Sequence, residues 1–526
     1  MSLSKHSLQE DEVRSVAPSA PSVRAPSSSA GVPYRNRAWT QLWLVSFCCF
    51  CLPGMYNAIQ GLGGSGQLDP TVGANSSVAL LSVGAATGLL VGQPMYDLLG
   101  NRCMALGAWT YPLYTASLLA YSHGCAKDGA FVIVSGAVLG LGATLLWVTQ
   151  GAVMLSYPLA GQKGRSIAGF WVVFNLGGAI GSFISLGLNY NRRHAGTVSD
   201  GTYIAFMVIM VFGWCLSAFL LPPHLVIRTD GSRAAPLPAS HVSHPSSLSS
   251  LSPPTVTSRL RHCYAVFAST ARRELAQIAK LRHEPRLLFL LPLCFGANFF
   301  YSYQQNIVNG GSFTLRSRSL NSALYWGAQM LGGVLIGLLL DLPPVSRRGR
   351  ALLGWCAVFI LGNVAMGGGL AYQRWFEAEA HRRQKLRFID FSDARTFAGP
   401  CVLYITYGAL DAAWQGLAYW LLGAMCDRPR DAARFVGVYK SLQCVGGAVA
   451  FRLTASHVAP MRQFAANWGV IAGALLFALP AVCRITEPED EEEFEAAQVQ
   501  VNHVSELAQA QVAPQTQTQV ERKDGQ

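Results

Sequence analysis

Charged residues are scarce in this sequence. Lys, Arg, Asp and Glu make up 13% of its 526 residues, whereas about a quarter is usual for a soluble domain. The charges are clustered, and the stretches between them reach the roughly 20 apolar residues that cross a hydrocarbon core as a helix. Backbone in lipid must satisfy its own hydrogen bonds, and these runs lack the period-two alternation of β-barrel strands. The composition therefore excludes a soluble protein and predicts transmembrane helices.

Motifs for catalysis, metal binding or nucleotide binding are also missing. The sequence has no evident Ser–His–Asp set, Walker loop, dinucleotide fingerprint or metal-ligand spacing. Cys48, Cys49 and Cys51 point around a helix, and we interpret them as small packing residues. GLGGSG at 61–66 follows no strand, so we interpret it as a flexible outer loop. We predict no enzyme, no cofactor and no metal.

The net charge of +12 does not indicate a nucleic-acid partner. The basic residues flank the apolar runs instead of forming one face of a soluble domain, as charges at the edges of a bilayer do. The first partner that the sequence predicts is therefore the lipid bilayer.

Twelve candidate spans follow from the apolar runs, in two groups of six. They cover 40–62, 74–95, 103–122, 130–157, 166–189, 202–222, 286–309, 320–341, 351–372, 397–425, 435–456 and 466–484. The predicted fold is all-α integral membrane, with six-helix bundles at 39–222 and 286–485. The remaining segments are predicted to be a disordered tail at 1–38, a linker with a basic amphipathic helix at 223–285, and an acidic, Gln-rich tail at 486–526.

The distribution of Lys and Arg predicts the orientation. An N-terminus in the cytosol places most of the 40 basic residues there, so both termini are expected in the cytosol, in a plasma membrane or endomembrane. The basic loop from Arg374 to Arg395 would lie outside, which leaves an eleven-span alternative open. Asn75, in the sequon Asn75-Ser76-Ser77 of the first outer loop, is a predicted glycosylation site.

The two halves of the chain share residues at one fixed offset. Phe174 matches Tyr439, Asn175 matches Lys440, and Gln150 matches Gln415. Two loops, after the second and eighth spans, carry a degenerate signature that resembles the conformational loop of the major facilitator superfamily. The residues of these two loops are Asp97, Gly100 and Arg102, and Asp341, Gly349 and Arg350.

Four longer strings resemble one branch of that superfamily. LLWVTQGAVMLSYP, GFWVVFNLGGAIGSF, YGALDAAWQGLAYWLLGAM and VGVYKSLQCVGG are similar to unc-ninety-three-like proteins, and the resemblance covers about residues 40–485. It implies a multipass protein of the major facilitator fold without implying a substrate. Some relatives are regulators of ion channels or trafficking partners.

Ionisable and amide side chains inside the spans are the candidate functional residues, because such groups are costly in lipid. Asp411 lies near the middle of the tenth span, and Lys440 lies in the eleventh at a depth about 11 Å away. Lys440 is predicted either to pair with Asp411 or to extend to the cytosolic interface. The full set of substrate-cavity candidates is Asn57, Gln60, Trp147, Gln150, Asn298, Tyr301, Gln304, Asp411, Trp414, Gln415 and Lys440.

Polar faces on the first, fourth, seventh and tenth spans are the pattern that a path for a polar solute needs. The sequence thus predicts a secondary transporter of a small polar or cationic solute that works by alternating access. The alternative is a non-transporting regulator or trafficking adaptor of an ion channel or other membrane protein. Helix packing by interhelical hydrogen bonds is the alternative role for each polar residue.

Overall fold

The computed structural model describes residues 32–67, 69–124, 128–159, 162–234, 256–281, 285–383, 388–425 and 429–485. Within them the chain is helical, and strand pairing is limited to isolated bridges such as Phe313 with Ile389. Most of the predicted N-terminal tail, the Ser/Pro-rich part of the linker and the acidic C-terminal tail lie outside the described residues.

The helices follow the predicted spans closely. In the first half they are α1 Ala38–Gly61, α2 Pro70–Leu90, α3 Gly92–Leu99, α4 Arg102–Ala108, α5 Thr110–Ser122, α6 Ala130–Ser156, α7 Lys163–Asn189 and α8 Asp200–Ser217. The linker contributes α9 Val256–Leu281. In the second half they are α10 Arg286–Gly310, α11 Leu315–Leu340, α12 Arg347–Arg383, α13 Ala394–Ala424, α14 Pro429–Ala455 and α15 Pro460–Cys483.

Nine helices of the described residues are long and apolar enough to cross a membrane: α1, α2, α6, α7, α8, α10, α11, α12 and α15. The third predicted span divides into α4 and α5 at Trp109. The tenth and eleventh predicted spans correspond to α13 and α14, which carry polar side chains. The total of twelve spans stays a prediction.

Helix α11 shows how the sequence separates lipid from interior. Leu331, Leu335 and Leu338 recur at three- and four-residue spacing and are 65–70% exposed, as suits a face against acyl chains. Tyr325 and Gln329 lie on another face and are buried. The helix is thus apolar outside and polar inside.

Breaks in helix α10 expose backbone acceptors. The regular helix stops at Gly296 and resumes at Phe299, and its last part, Tyr303–Gly310, is a π-helix. The Ala297 N–H bonds to Cys294 O and the Tyr301 N–H to Asn298 O, so the carbonyls of Leu293 and Ala297 accept bonds from α13 instead. The break therefore positions the second half's polar residues.

The halves are joined by hydrogen bonds at the end of the bundle that is predicted to lie outside. The Gly64 N–H donates to Asn306 Oδ1 at 2.8 Å, and Asn309 Nδ2 donates to the Gly61 carbonyl at 2.7 Å. Helices α7 and α11 add the contacts of Ser182 with Ser322 at 2.8 Å and of Ser185 with Ser319 at 2.9 Å. We call these contacts the outer seam.

The GLGGSG segment is part of this seam, so its interpretation as a flexible loop is wrong. Residues 61–66 are buried, and Tyr203 and Tyr114 bond to Ser65 from neighbouring helices. Gly63 adopts φ 76°, and a Cβ there would lie 2.4 Å from the Gln305 carbonyl oxygen. Glycine is therefore needed because two backbones meet, not because the segment moves.

Asn75 does not lie in a loop. It belongs to α2, and its Oδ1 accepts a bond from Arg452 at 3.3 Å, which again joins the two halves. The predicted location of the sequon is thus wrong, because the helix begins five residues earlier, at Pro70. Glycosylation of Asn75 stays a prediction.

Candidate functional site

Asp411 lies at the centre of a buried polar cluster in the second half. Its exposed fraction is 0%, and Tyr301 of α10 donates to its Oδ2 at 2.6 Å. Helix α11 contributes two more donors to that oxygen, Tyr325 at 3.2 Å and the Gln329 amide. Gln415 donates to Oδ1 at 3.3 Å. All four contacts are donors, which suits an ionised carboxylate.

The Tyr325 hydroxyl lies between two acceptors. It is 3.2 Å from Asp411 Oδ2 and 3.1 Å from Gln304 Oε1. A hydroxyl carries one proton, so it donates to one of these oxygens at a time. When it donates to Gln304, its own oxygen is free to accept a hydrogen bond from a protonated Asp411. The cluster thus has a hydrogen-bond arrangement for each protonation state of the carboxyl group.

A chain of amides connects Asp411 with Lys440. Gln415 Oε1 accepts from Tyr439 and, at 3.1 Å, from Gln443 Nε2. Gln443 Oε1 in turn accepts from Lys440 Nζ at 3.0 Å. Direct pairing of Lys440 with Asp411 does not occur among the described residues, because two glutamines lie between them. Lys440 is half-buried and faces aromatic rings.

Trp414 is not among the residues that donate to the Asp411 carboxylate. It is fully buried, donates from Nε1 to the Leu293 carbonyl at 3.1 Å, and packs against Phe300. Asp411, three residues earlier in the sequence, bonds to other residues, such as Tyr301. The structure thus places Trp414 in the packing between α10 and α13.

The candidates of the first half are less connected. Gln60 is buried and donates to Tyr56 at 2.8 Å and to Ser77 at 3.4 Å. Asn57 and Gln150 are half-buried, as is Asn298 of α10, and their side chains bond to none of the described residues. Among the candidates of the first half, Trp147 alone contacts this group of residues, because its ring lies 5.9 Å from the ammonium of Lys440.

The conformational-loop candidates lie at the opposite end of the helices from the outer seam. Asp97 accepts a bond from Gln93 at 2.7 Å and is 3.8 Å from Arg273 of the linker helix α9. Gly100 adopts φ 55°, and Arg102 begins α4. In the second half Asp341 follows α11, while Gly349 and Arg350 lie in the first turn of α12.

Sequence reasoning missed four members of the cluster: Tyr325, Gln329, Tyr439 and Gln443. The first two are spaced by four residues, which places them on one helical face. The spacing indicates a polar face on this helix, but it does not indicate which other helix packs against that face. Their role depends on the packing of α11 against α13.

A family model described as "Ion channel regulatory protein UNC-93" matches residues 65–363. UNC93-like protein 1 of Arabidopsis thaliana is 42% identical over 83% of this chain and 88% of that protein. An UNC93-like protein of Schizosaccharomyces pombe is 36% identical over 85% of this chain and 82% of its own length.

Solved structures show the fold. The partially occluded, inward-open xylose transporter XylE of E. coli superimposes with a TM-score of 0.52 at 12% identity, over 86% of this chain and 100% of that chain. At this identity the likeness establishes the major facilitator fold alone. The family model and the relatives show that this multipass membrane protein belongs to the UNC-93 family.

Proposed function

We propose that this protein is a secondary transporter of a small polar or cationic solute and works by alternating access between halves at 39–222 and 286–485. The observation that carries the proposal is the burial of Asp411 among four neutral donors. A buried carboxylate is costly unless a cation or proton compensates its charge. The cluster is therefore suited to bind one.

The outer seam supports alternating access. It consists of hydroxyl, amide and glycine contacts, such as Ser182 with Ser322. Such polar contacts exchange for water when the halves separate, whereas an interlocked apolar interface does not. We assign the seam to the non-cytosolic side, with both termini in the cytosol and the loops around Asp97 and Asp341 on the cytosolic side.

Reconstitution into liposomes tests the proposal. The purified full chain is assayed against a panel of labelled polar and cationic solutes, with and without a pH gradient, and with Asp411→Asn as the matched variant. We expect saturable uptake of at least one solute by the wild type and loss of ion- or pH-dependent uptake in the variant. Uptake that is equal in both proteins would contradict the role of Asp411.

Regulation of an ion channel is the second candidate. It is favoured by the description of the family model, "Ion channel regulatory protein". Here Asp411 would stabilise the bundle through interhelical hydrogen bonds. Absence of flux for every solute, together with a membrane protein that co-purifies stably, would favour regulation over transport.

A further inference from the structure

The ammonium group of Lys440 lies in a box of three aromatic rings. Its Nζ is 5.9 Å from the ring centre of Trp147, 5.5 Å from that of Tyr419 and 5.5 Å from that of Tyr439. These distances are within the range in which the ring quadrupole attracts a cation. The rings come from α6, α13 and α14, so both halves of the molecule supply walls.

The ammonium has no carboxylate partner within 4.0 Å in the described part of the chain. Its hydrogen bond to Gln443 uses one of three donors. Lys440, Trp147 and Tyr419 are all half-buried, so each keeps part of its surface exposed, whereas Tyr439 is fully buried. A cation in this box is held by ring faces and an amide oxygen.

We propose that this box is a binding site for a small organic ammonium ion, and that Lys440 occupies it as a tethered cation. The inference deepens the proposed transport function, on which it rests only for calling the ligand a substrate. Ring faces suit weakly hydrated monovalent cations, whereas Ca²⁺ and Mg²⁺ require several oxygen ligands. Lys440 has a flexible stem, so its ammonium can leave when a free ligand enters.

The position of Trp147 couples binding to the arrangement of the halves. Trp147 is held by Phe174 at 5.4 Å and Phe170 at 6.4 Å between ring centres, all within the first half. Tyr419 and Tyr439 belong to the second half. The box is therefore complete only while Trp147 of the first half faces Lys440 of the second, and an ammonium ligand stabilises that arrangement.

Choline binding to the purified full chain, measured by isothermal titration calorimetry, tests the proposal. Lys440→Met keeps the length of the side chain and removes the tethered competitor. We expect it to bind choline at least about tenfold more tightly than the wild type, since a tethered group competes at a high effective concentration. Dimethylbutanol, the neutral carbon isostere of choline, should bind neither protein.

Two tryptophan variants in the Lys440→Met background provide the matched comparison. Trp147→Leu removes one wall of the box and should abolish the gain in choline affinity. Trp171→Leu removes a ring that contacts Phe170 and Phe174 but not Lys440, and should keep it. Thermal unfolding of each variant establishes that it is folded.

Three results with choline or its neutral isostere would overturn the proposal. They are equal choline affinity of the wild type and Lys440→Met, a gain that survives Trp147→Leu, or binding of dimethylbutanol as tight as that of choline. Binding of acetate to the wild type that disappears in Lys440→Met would also overturn it, because Lys440 would then be an anion ligand. Calorimetry measures binding and does not depend on transport. The choline result can therefore be judged even if the protein transports no solute.

Discussion

The buried carboxylate of Asp411 is surrounded by hydrogen-bond donors. Three donors, from Tyr301, Tyr325 and Gln329, meet at Oδ2, while the weaker contact from Gln415 meets Oδ1. An asparagine keeps one oxygen for the three donors and loses only the contact at the other position. A leucine removes this acceptor from Tyr301 and Gln329, at about 1–3 kcal/mol for each buried group. Tyr325 and Gln415 keep other acceptors, the Gln304 side chain and the Ala297 carbonyl.

We therefore expect Asp411→Asn to keep the fold and Asp411→Leu to lower the unfolding temperature by several degrees. Thermal unfolding in detergent measures the difference, and surface abundance in cells provides a second readout. A leucine variant as stable as the asparagine variant would contradict this arrangement of donors around Asp411.

Asp390 lies in the loop between α12 and α13 and binds the start of α11. Arg316 donates to it at 2.5 and 2.8 Å, and Thr314 at 2.6 Å. Partial burial raises the pKa of Asp390, but the hydrogen bonds from Arg316, Ser392 and Thr314 outweigh that effect and hold the pKa well below its usual range. The Arg316 guanidinium also lies 4.4 Å from the ring centre of Phe391.

This lowered pKa determines the sign of the pH effect. A carboxyl group whose pKa is lower in the folded state stabilises that state above its unfolded pKa, about 3.9, and loses the contribution only as the pH falls through the folded pKa. We expect amide hydrogen exchange of residues 388–393 to be unchanged between pH 7 and 5, after correction for intrinsic rates. Asp390→Asn should raise it at both values, and an increase in the wild type at pH 5 would refute the assignment.

Small residues let helices α7 and α11 approach each other at the outer seam. A Cβ at Gly178 would lie 2.9 Å from Cγ of Trp326 in the other half, whereas a Cβ at Gly187, on the same helix, would meet nothing within 4 Å. Alanine is a better helix former than glycine at both positions. Only at Gly178 does the added methyl group oppose closure of the seam.

Gly178→Ala should therefore shift the halves towards the arrangement that is open at this end. We expect a Cys in place of Ser185, which is buried in the seam, to react at least about fivefold faster with a membrane-impermeant maleimide in this variant, since overpacking costs at least about 1 kcal/mol. Gly187→Ala is the control and should leave the rate unchanged. Equal rates in both variants would mean that the seam does not open here.

At the scale of the whole molecule, orientation is the main open prediction. The basic residues Arg192 and Arg193 follow α7, while Arg228 and Arg233 follow α8. One helix, α8, lies between these two segments. If it spans the bilayer, the segments lie on opposite sides.

Single cysteines at Arg193 and Asp230, both exposed, test this prediction in intact cells. The first should react with an impermeant maleimide from outside, and the second only after permeabilisation. Labelling of both from the same side would exclude α8 as a span, and reversed labelling would invert the orientation.

Much of the architecture was predictable from the sequence alone. Apolar run lengths located the helices, because a spanning helix satisfies its backbone locally and needs only enough apolar residues to cross the lipid. The cost of a charge in lipid also marked Asp411 as an interior group. The length of an apolar run and the cost of a charge in lipid depend only on the local sequence and on the solvent, not on residues far away in the chain.

The partners of these groups were decided by tertiary structure. Tyr325 lies 86 residues from Asp411 along the chain, and no local pattern states which face of α11 meets α13. Two glutamines lie between Lys440 and Asp411. Depth along each helix did not predict them, because the distance between the two charges also depends on how α14 packs against α13. GLGGSG likewise reads as a mobile loop in isolation, and only the close approach of the Gly310 backbone makes its glycines a packing requirement.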